Sequence, residues 1–207
     1  VNRRGARWAL AFIACALAGC AGGARDPYWG SGPQPGPGVT LLNVDAPQQS
    51  TLYTSGPAAA RALLRFHGRD YDEFDIAHEM RIDDRSDTPP DRLAKWLENH
   101  AFAVTWGEHG SIDLLRKNLA AGIPTLVEWC DWGGHWAVVI GYDDRGTPDP
   151  GDDVIIFADP AGAKSGRPDG RTWMNAQRFD AMWFDARTFG KPVQRVFLTA
   201  VPGTPSR

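Results

Sequence analysis

The chain has 207 residues, 43% of them hydrophobic and 23% charged, enough for one domain with a packed core, and this sets aside a disordered chain. The formal charge is −3; without the first nineteen residues, which carry Arg3, Arg4 and Arg7, 19 basic side chains face 25 acidic ones, a net −6. A surface of that sign speaks against a nucleic-acid partner.

The three arginines precede an uncharged apolar run from Trp8 to Ala18, too short to span a bilayer as a mature helix, so the segment reads as a secretion signal. It ends in Leu17-Ala18-Gly19-Cys20, which resembles the lipobox of bacterial lipoproteins. That resemblance implies a signal peptide over 1–19, a lipid carried by Cys20, and an exported chain anchored on the outer face of a bacterial membrane. An ordinary signal peptide cut after a small residue is the alternative. Cys15 leaves with the signal and Cys20 takes the lipid, so Cys130 stands alone and no intrachain disulfide is expected. Residues 20–38, with Gly30-Ser31-Gly32-Pro33 and Pro35-Gly36-Pro37-Gly38, read as a tether, because they hold too little apolar area to offset ordering. The domain is expected over 39–207, its packed part ending near Pro202.

Within it, a short apolar stretch at Val39 to Val44 comes first. Ser55-Gly56-Pro57 then opens a helical pattern to His67, with serine as cap, proline in the first turn and Gly68 as the stop. A short helix is expected near Asp72 to Met80, and another after Thr88-Pro89-Pro90, where Leu93, Trp96 and Leu97 keep helical spacing. Phe102 to Trp106 reads as a strand. Ser111 caps a helix with Ile112, Leu115 and Leu119 on one face, closed by Gly122. From Pro124 the pattern changes to short β-rich runs: Thr125 to Trp129, Trp136 to Tyr142, Val154 to Phe157 and Val193 to Thr199. Helices ahead of antiparallel strands predict an α+β domain with a helical lobe, a sheet lobe and a cleft between them.

Three residues then stand out. His135 begins one strand and Asp159 ends the next; if Tyr142 pairs with Asp152, antiparallel counting puts His135 opposite Asp159, with Cβ atoms roughly 4.5 to 5.5 Å apart. An aspartate there fixes the histidine tautomer, the orienter's role in a nucleophile, base and orienter set. Ser55 opens a helix, where backbone donors and the helix dipole favour developing negative charge. Serine is also simply a good helix cap.

The segments Gln49, Ser55-Gly56-Pro57-Ala58-Ala59, Gly134-His135-Trp136-Ala137-Val138-Val139-Ile140-Gly141-Tyr142 and Asp159-Pro160 resemble the bacteriocin-processing, double-glycine peptidases, family thirty-nine of the cysteine peptidases, a branch of the papain superfamily. Gly122-Ile123-Pro124 and the run from Phe179 to Trp183 extend the likeness to about Gln49 to Asp185. The resemblance implies a two-lobed papain-like fold, a peptide or protein as substrate or ligand, His135 as base, Asp159 as orienter and Gln49 as oxyanion donor. It also puts a catalytic cysteine at the head of the helix, and this sequence has Ser55 there.

A thiol of ordinary pKa becomes a thiolate at a helix start beside an imidazolium, whereas a hydroxyl has no comparable resting anion. Two readings follow: a pseudopeptidase whose cleft holds a peptide or a cell-envelope partner without cutting, and an amide hydrolase in which Ser55 attacks with His135 as base.

Other residues carry weaker signals. Cys130 ends a strand, unlike an activated nucleophile, and Glu128, Asp131 and Trp132 belong to the approach to His135. His67, His78, His100 and His109 lack metal-ligand spacing, and Asp143, Asp144, Asp149, Asp152 and Asp153 crowd one turn without the pattern of a calcium loop. Gly162-Ala163-Lys164-Ser165 lacks the glycine before lysine that a phosphate loop needs. No metal, cofactor or nucleotide is expected.

Overall fold

The structure is a computed structural model and describes residues 33–130, 134–166, 169–185 and 193–203. The expected signal segment, Cys20 and most of the tether therefore lie outside the described residues, as do Asp131 and Trp132. The end of the tether is stitched to the domain: Val39 N–H donates to Gly36 O at 3.0 Å and Asp144 N–H to Gly38 O at 3.2 Å. No described helix is long and apolar enough to cross a membrane.

Chain order is β1 (Val39–Leu41), α1 (Ser55–Phe66), α2 (Glu73–Glu79), α3 (Pro90–Asn99), β2 (Phe102–Gly107), α4 (Ile112–Ala120), β3 (Thr125–Trp129), β4 (His135–Asp143), β5 (Val154–Ala158), β6 (Arg171–Asn175), α5 (Ala176–Met182), β7 (Phe184–Asp185), β8 (Val193–Gln194) and β9 (Val196–Pro202). A single 3-10 turn, Gly162–Ser165, lies between β5 and β6. One antiparallel sheet runs β2-β9-β3-β4-β5-β6, with β1 also paired to β4. This is the expected α+β layout, with helices drawn mostly from the first half and strands from the second.

β4 is the centre of the molecule. All nine of its residues are buried, which is why it reads as an unbroken apolar run rather than an alternation. Ala137, Val139 and Tyr142 join a core with Leu115, Leu119, Phe157, Phe179 and Trp183, beneath α4 and α5. The alternate side chains point to the opposite face, where α1 packs on the strand with Ala58, Ala59, Ala62, Leu63 and Leu64 buried. Small residues on α1 let its backbone lie close to the sheet. Gly141 serves a similar purpose: a Cβ there would meet Thr40 O at 2.8 Å, so glycine lets β1 continue the edge that β3 leaves.

Four sequence expectations change. Thr54, not Ser55, is the residue before α1, and Ser55 is the first helical residue, so its hydroxyl is not used as a cap. Val193 to Thr199 is two strands, broken at Arg195, whose φ of 52° lies in the left-handed region. β6 had no counterpart in the sequence reading. The hairpin count is also different: Tyr142 pairs with Ile155 rather than Asp152, and the register shifts between Val139 and Gly141. The connecting turn is longer than assumed because its aspartates fold it locally, Asp143 accepting from Arg145 N–H, Asp144 from Gly146 N–H and Asp149 from Gly151 N–H.

Candidate functional site

With Val138 opposite Ala158, continuing the ladder sets Asp159 beyond Ala137, so His135 and Asp159 are diagonal neighbours on one face rather than directly opposed. A long imidazole spans that diagonal. His135 Nε2 lies 2.8 Å from Asp159 Oδ1, and the two residues are 6% and 7% exposed. Asp159 is satisfied at both oxygens: Ala161 N–H donates to Oδ1 at 2.8 Å and the Thr172 hydroxyl to Oδ2 at 3.0 Å. Burial pushes the carboxyl up, but the His135 contact and the two other donors outweigh it, and its pKa lies below the usual carboxylate range. Paired with an ionised carboxylate, Nε2 carries the proton, and Nδ1 makes no hydrogen bond among the described residues.

Gly134 precedes the histidine for a local reason. Its φ is +109°, and a Cβ on it would sit 2.9 Å from Asp185 Oδ1, so only glycine fits the approach to β4. Trp136 follows and joins the lobes: its indole Nε1 donates to Thr88 O at 3.0 Å, from the loop before α3. Thr88 in turn packs on the head of α1, where a Cβ on Gly56 would meet its side chain at 2.5 Å. Glycine at that point lets the Thr88 loop lie against the helix start.

Ser55 is 8% exposed at that helix start. Its Oγ accepts a hydrogen bond from Trp136 N–H at 3.4 Å, so it lies one residue along the strand from His135. Among the described residues Ser55 Oγ makes no hydrogen bond to the His135 ring. Ser55 lines a narrow recess with Tyr53, Thr88, Glu128, Gly134 and Trp136, to which Leu52, 86% exposed, forms an apolar rim.

Gln49 reaches the same neighbourhood from the other side. Its N–H donates to Pro160 O at 2.9 Å, tying it to the turn that bears Asp159. Its side-chain Nε2 donates to Thr51 O at 2.6 Å, and Oε1 is buried with no partner among the described residues. One amide proton is left over. The structure thus gathers Ser55, His135 and Asp159 at the junction of helix and sheet and ties Gln49 to it through the backbone, with no direct Gln49–Ser55 hydrogen bond among the described residues.

The remaining candidates go elsewhere. Cys130 is half-buried at the end of β3, its N–H donating to Met182 O at 3.0 Å. Glu128 is buried and faces the recess. His67 contacts Ala200 O and His100 stacks on Trp96, both within the helical lobe and its border with β9. No group of three or more His, Cys, Asp or Glu among the described residues is placed to hold a metal ion. Thr172 and Gln48 had no part in the sequence reading. Thr172 belongs to β6, itself unread, and the only signal for Gln48 is its position beside Gln49.

A helix head facing a histidine strand, with an aspartate from the next strand behind it, defines a papain-like peptidase domain. The chain belongs to the Peptidase_C39 like family, whose model matches residues 41–188. Three solved structures share the fold. They are the peptidase domain of Streptococcus ComA, a bi-functional ABC transporter involved in a quorum sensing pathway (TM-score 0.56, 16% identity, 76% of this chain and 98% of that one); a double glycine motif protease from an AMS/PCAT transporter in complex with the leader peptide (0.54, 13%, 78% and 94%); and a Bacillus anthracis protein described as a C39-like peptidase (0.56, 15%, 80% and 99%). No curated protein matches the chain.

Proposed function

We propose that this chain is a membrane-tethered pseudopeptidase, whose cleft binds an extended peptide at the cell envelope without cutting it. The observation that carries the reading is at Ser55: its oxygen accepts from Trp136 N–H and makes no hydrogen bond to the His135 ring among the described residues. A C–O bond is shorter than a C–S bond, so a hydroxyl reaches less far toward the imidazole than a thiol on the same backbone would. It also lacks the thiol's resting anion. Peptide binding is supported by the family and by the leader peptide held by one structural relative. The anchor is supported by Arg3, Arg4, Arg7 and the Leu17 to Cys20 sequence.

A specific observation favours a second reading, a serine amide hydrolase. The His135–Asp159 pair is buried, and Ala161 N–H and the half-buried Thr172 hydroxyl satisfy the carboxylate, which orients the imidazole as a general base requires. A fluorophosphonate probe separates the two. The pseudopeptidase leaves Ser55 unlabelled while a fluorescent peptide carrying a Gly-Gly pair still binds; labelling that disappears in Ser55→Ala establishes the hydrolase.

A further inference from the structure

The sheet does not by itself fix Asp159. On the side of β4 the ladder ends at Ala158, and among the described residues only the contact of Asp159 N–H with Gly170 O, at 2.8 Å, continues it toward β6. The carboxylate is aimed by a turn, since Ala161 N–H donates to Oδ1 and Gly162 N–H donates to Asp159 O at 3.0 Å. A turn of this kind keeps its shape only if its ends are held.

Gln48 holds them. Its Nε2 donates to Asp159 O at 3.0 Å and to Ala46 O at 2.9 Å, and its Oε1 accepts from Ala163 N–H at 2.6 Å. Both amide protons are spent and the oxygen is engaged, so one side chain closes the turn at its first residue and again four residues on. Gly170 makes room for it: a Cβ there would lie 2.3 Å from Gln48 Nε2, and its φ of +67° also favours glycine. The next residue along is Gln49, whose N–H takes Pro160 O. On its other flank Ser50 is held by buried Glu73, which accepts from Ser50 N–H at 2.8 Å and from the hydroxyl at 2.9 Å.

We infer that Gln48 is a positioning residue, which locks the Asp159 turn to the loop bearing Gln49 and so keeps His135 in a single tautomer facing the cleft. The reason this spacing matters rests on the proposed peptide cleft; the contacts and their test do not.

The test is nitrogen NMR of histidine-labelled native-Ser55 protein in alkaline buffer, with the His135 signals assigned through His135→Gln. In the parent protein His135 shows separate ring-nitrogen signals, with the proton on Nε2. In Gln48→Ala the separation between them falls by at least half, as the two tautomers mix, while the other histidines keep their signals. Glu73→Gln, which loosens only the opposite flank, leaves His135 unchanged. A folded Gln48→Ala protein with the parent His135 signals overturns the proposal. If that variant fails to fold, Gln48→Glu, which keeps the acceptor for Ala163, is read the same way. Failure of both to fold also overturns it, because the side chain would then support the domain rather than the turn. Fluorophosphonate labelling of Ser55 would end the pseudopeptidase reading without touching this result.

Discussion

A hydroxyl and a thiol at the head of one helix are different chemical devices. A thiol can rest as an anion beside an imidazolium, while a hydroxyl gives up its proton only as it attacks, and needs the base within hydrogen-bond reach. Ser55 Oγ accepts from Trp136 N–H and makes no hydrogen bond to the His135 ring among the described residues. The buried His135–Asp159 pair is intact all the same, and Asp159 shows at what cost in pH range. Its pKa is depressed in the folded chain, by donors that burial only partly offsets. In the unfolded chain the carboxyl takes up protons at higher pH, so stability from this group is present above the ordinary carboxylate range and is lost as pH falls through the depressed value. Urea unfolding of the parent and of Asp159→Asn along an acid series therefore shows a stability gap that narrows as pH drops; a gap constant with pH would mean that Asp159 is not held ionised by its neighbours. The residues of this pair were legible because glycine before histidine and aspartate before proline mark strand ends. Thr172 and Gln48 were not, because each acts through a contact between segments distant in sequence, Gln48 lying 111 residues from Asp159.

At the scale of elements, the strands were legible wherever burial on both faces left an apolar run, as in β3, β4 and β5. β6, Arg171–Asn175, is half-buried throughout and mixes charged, polar and aromatic residues, so no period marks it. The hairpin register could not be counted from the sequence, since turn length depends on how Asp143, Asp144 and Asp149 accept from backbone N–H groups two residues on. His135 still meets Asp159, because the side chain covers a diagonal as readily as a direct pairing. The junction of the helical lobe with β4 depends on a different element contact, that of Thr88 with Gly56 and Trp136. Gly56→Ala places a methyl within the Thr88 side chain and is expected to cost about 1–3 kcal/mol, the usual penalty for overpacking, in urea unfolding. An unchanged midpoint would show that the loop before α3 is not seated on the helix start.

For the whole molecule, one sheet with α1 on one face and α4 and α5 on the other carries the site where helix head and strand ends meet, which is why an α+β reading was enough to anticipate a cleft there. In the proposed reading, a tether and lipid anchor set where that cleft works. Replacing Cys20 by serine is expected to move the protein from the membrane fraction to the soluble exported fraction and to abolish incorporation of a labelled fatty acid, while a variant that still partitions with membranes would refute the lipid anchor.

The central claim is that this cleft kept its base and orienter and exchanged only its nucleophile. Cleavage of a Gly-Gly peptide by the native chain, by Ser55→Cys and by Ser55→Cys with His135→Ala measures that directly. No cutting is predicted for the native chain, cutting for Ser55→Cys, and a loss of about a hundredfold or more when His135 is then removed. Native cutting that Ser55→Ala abolishes, or a Ser55→Cys chain that stays inert, would contradict it.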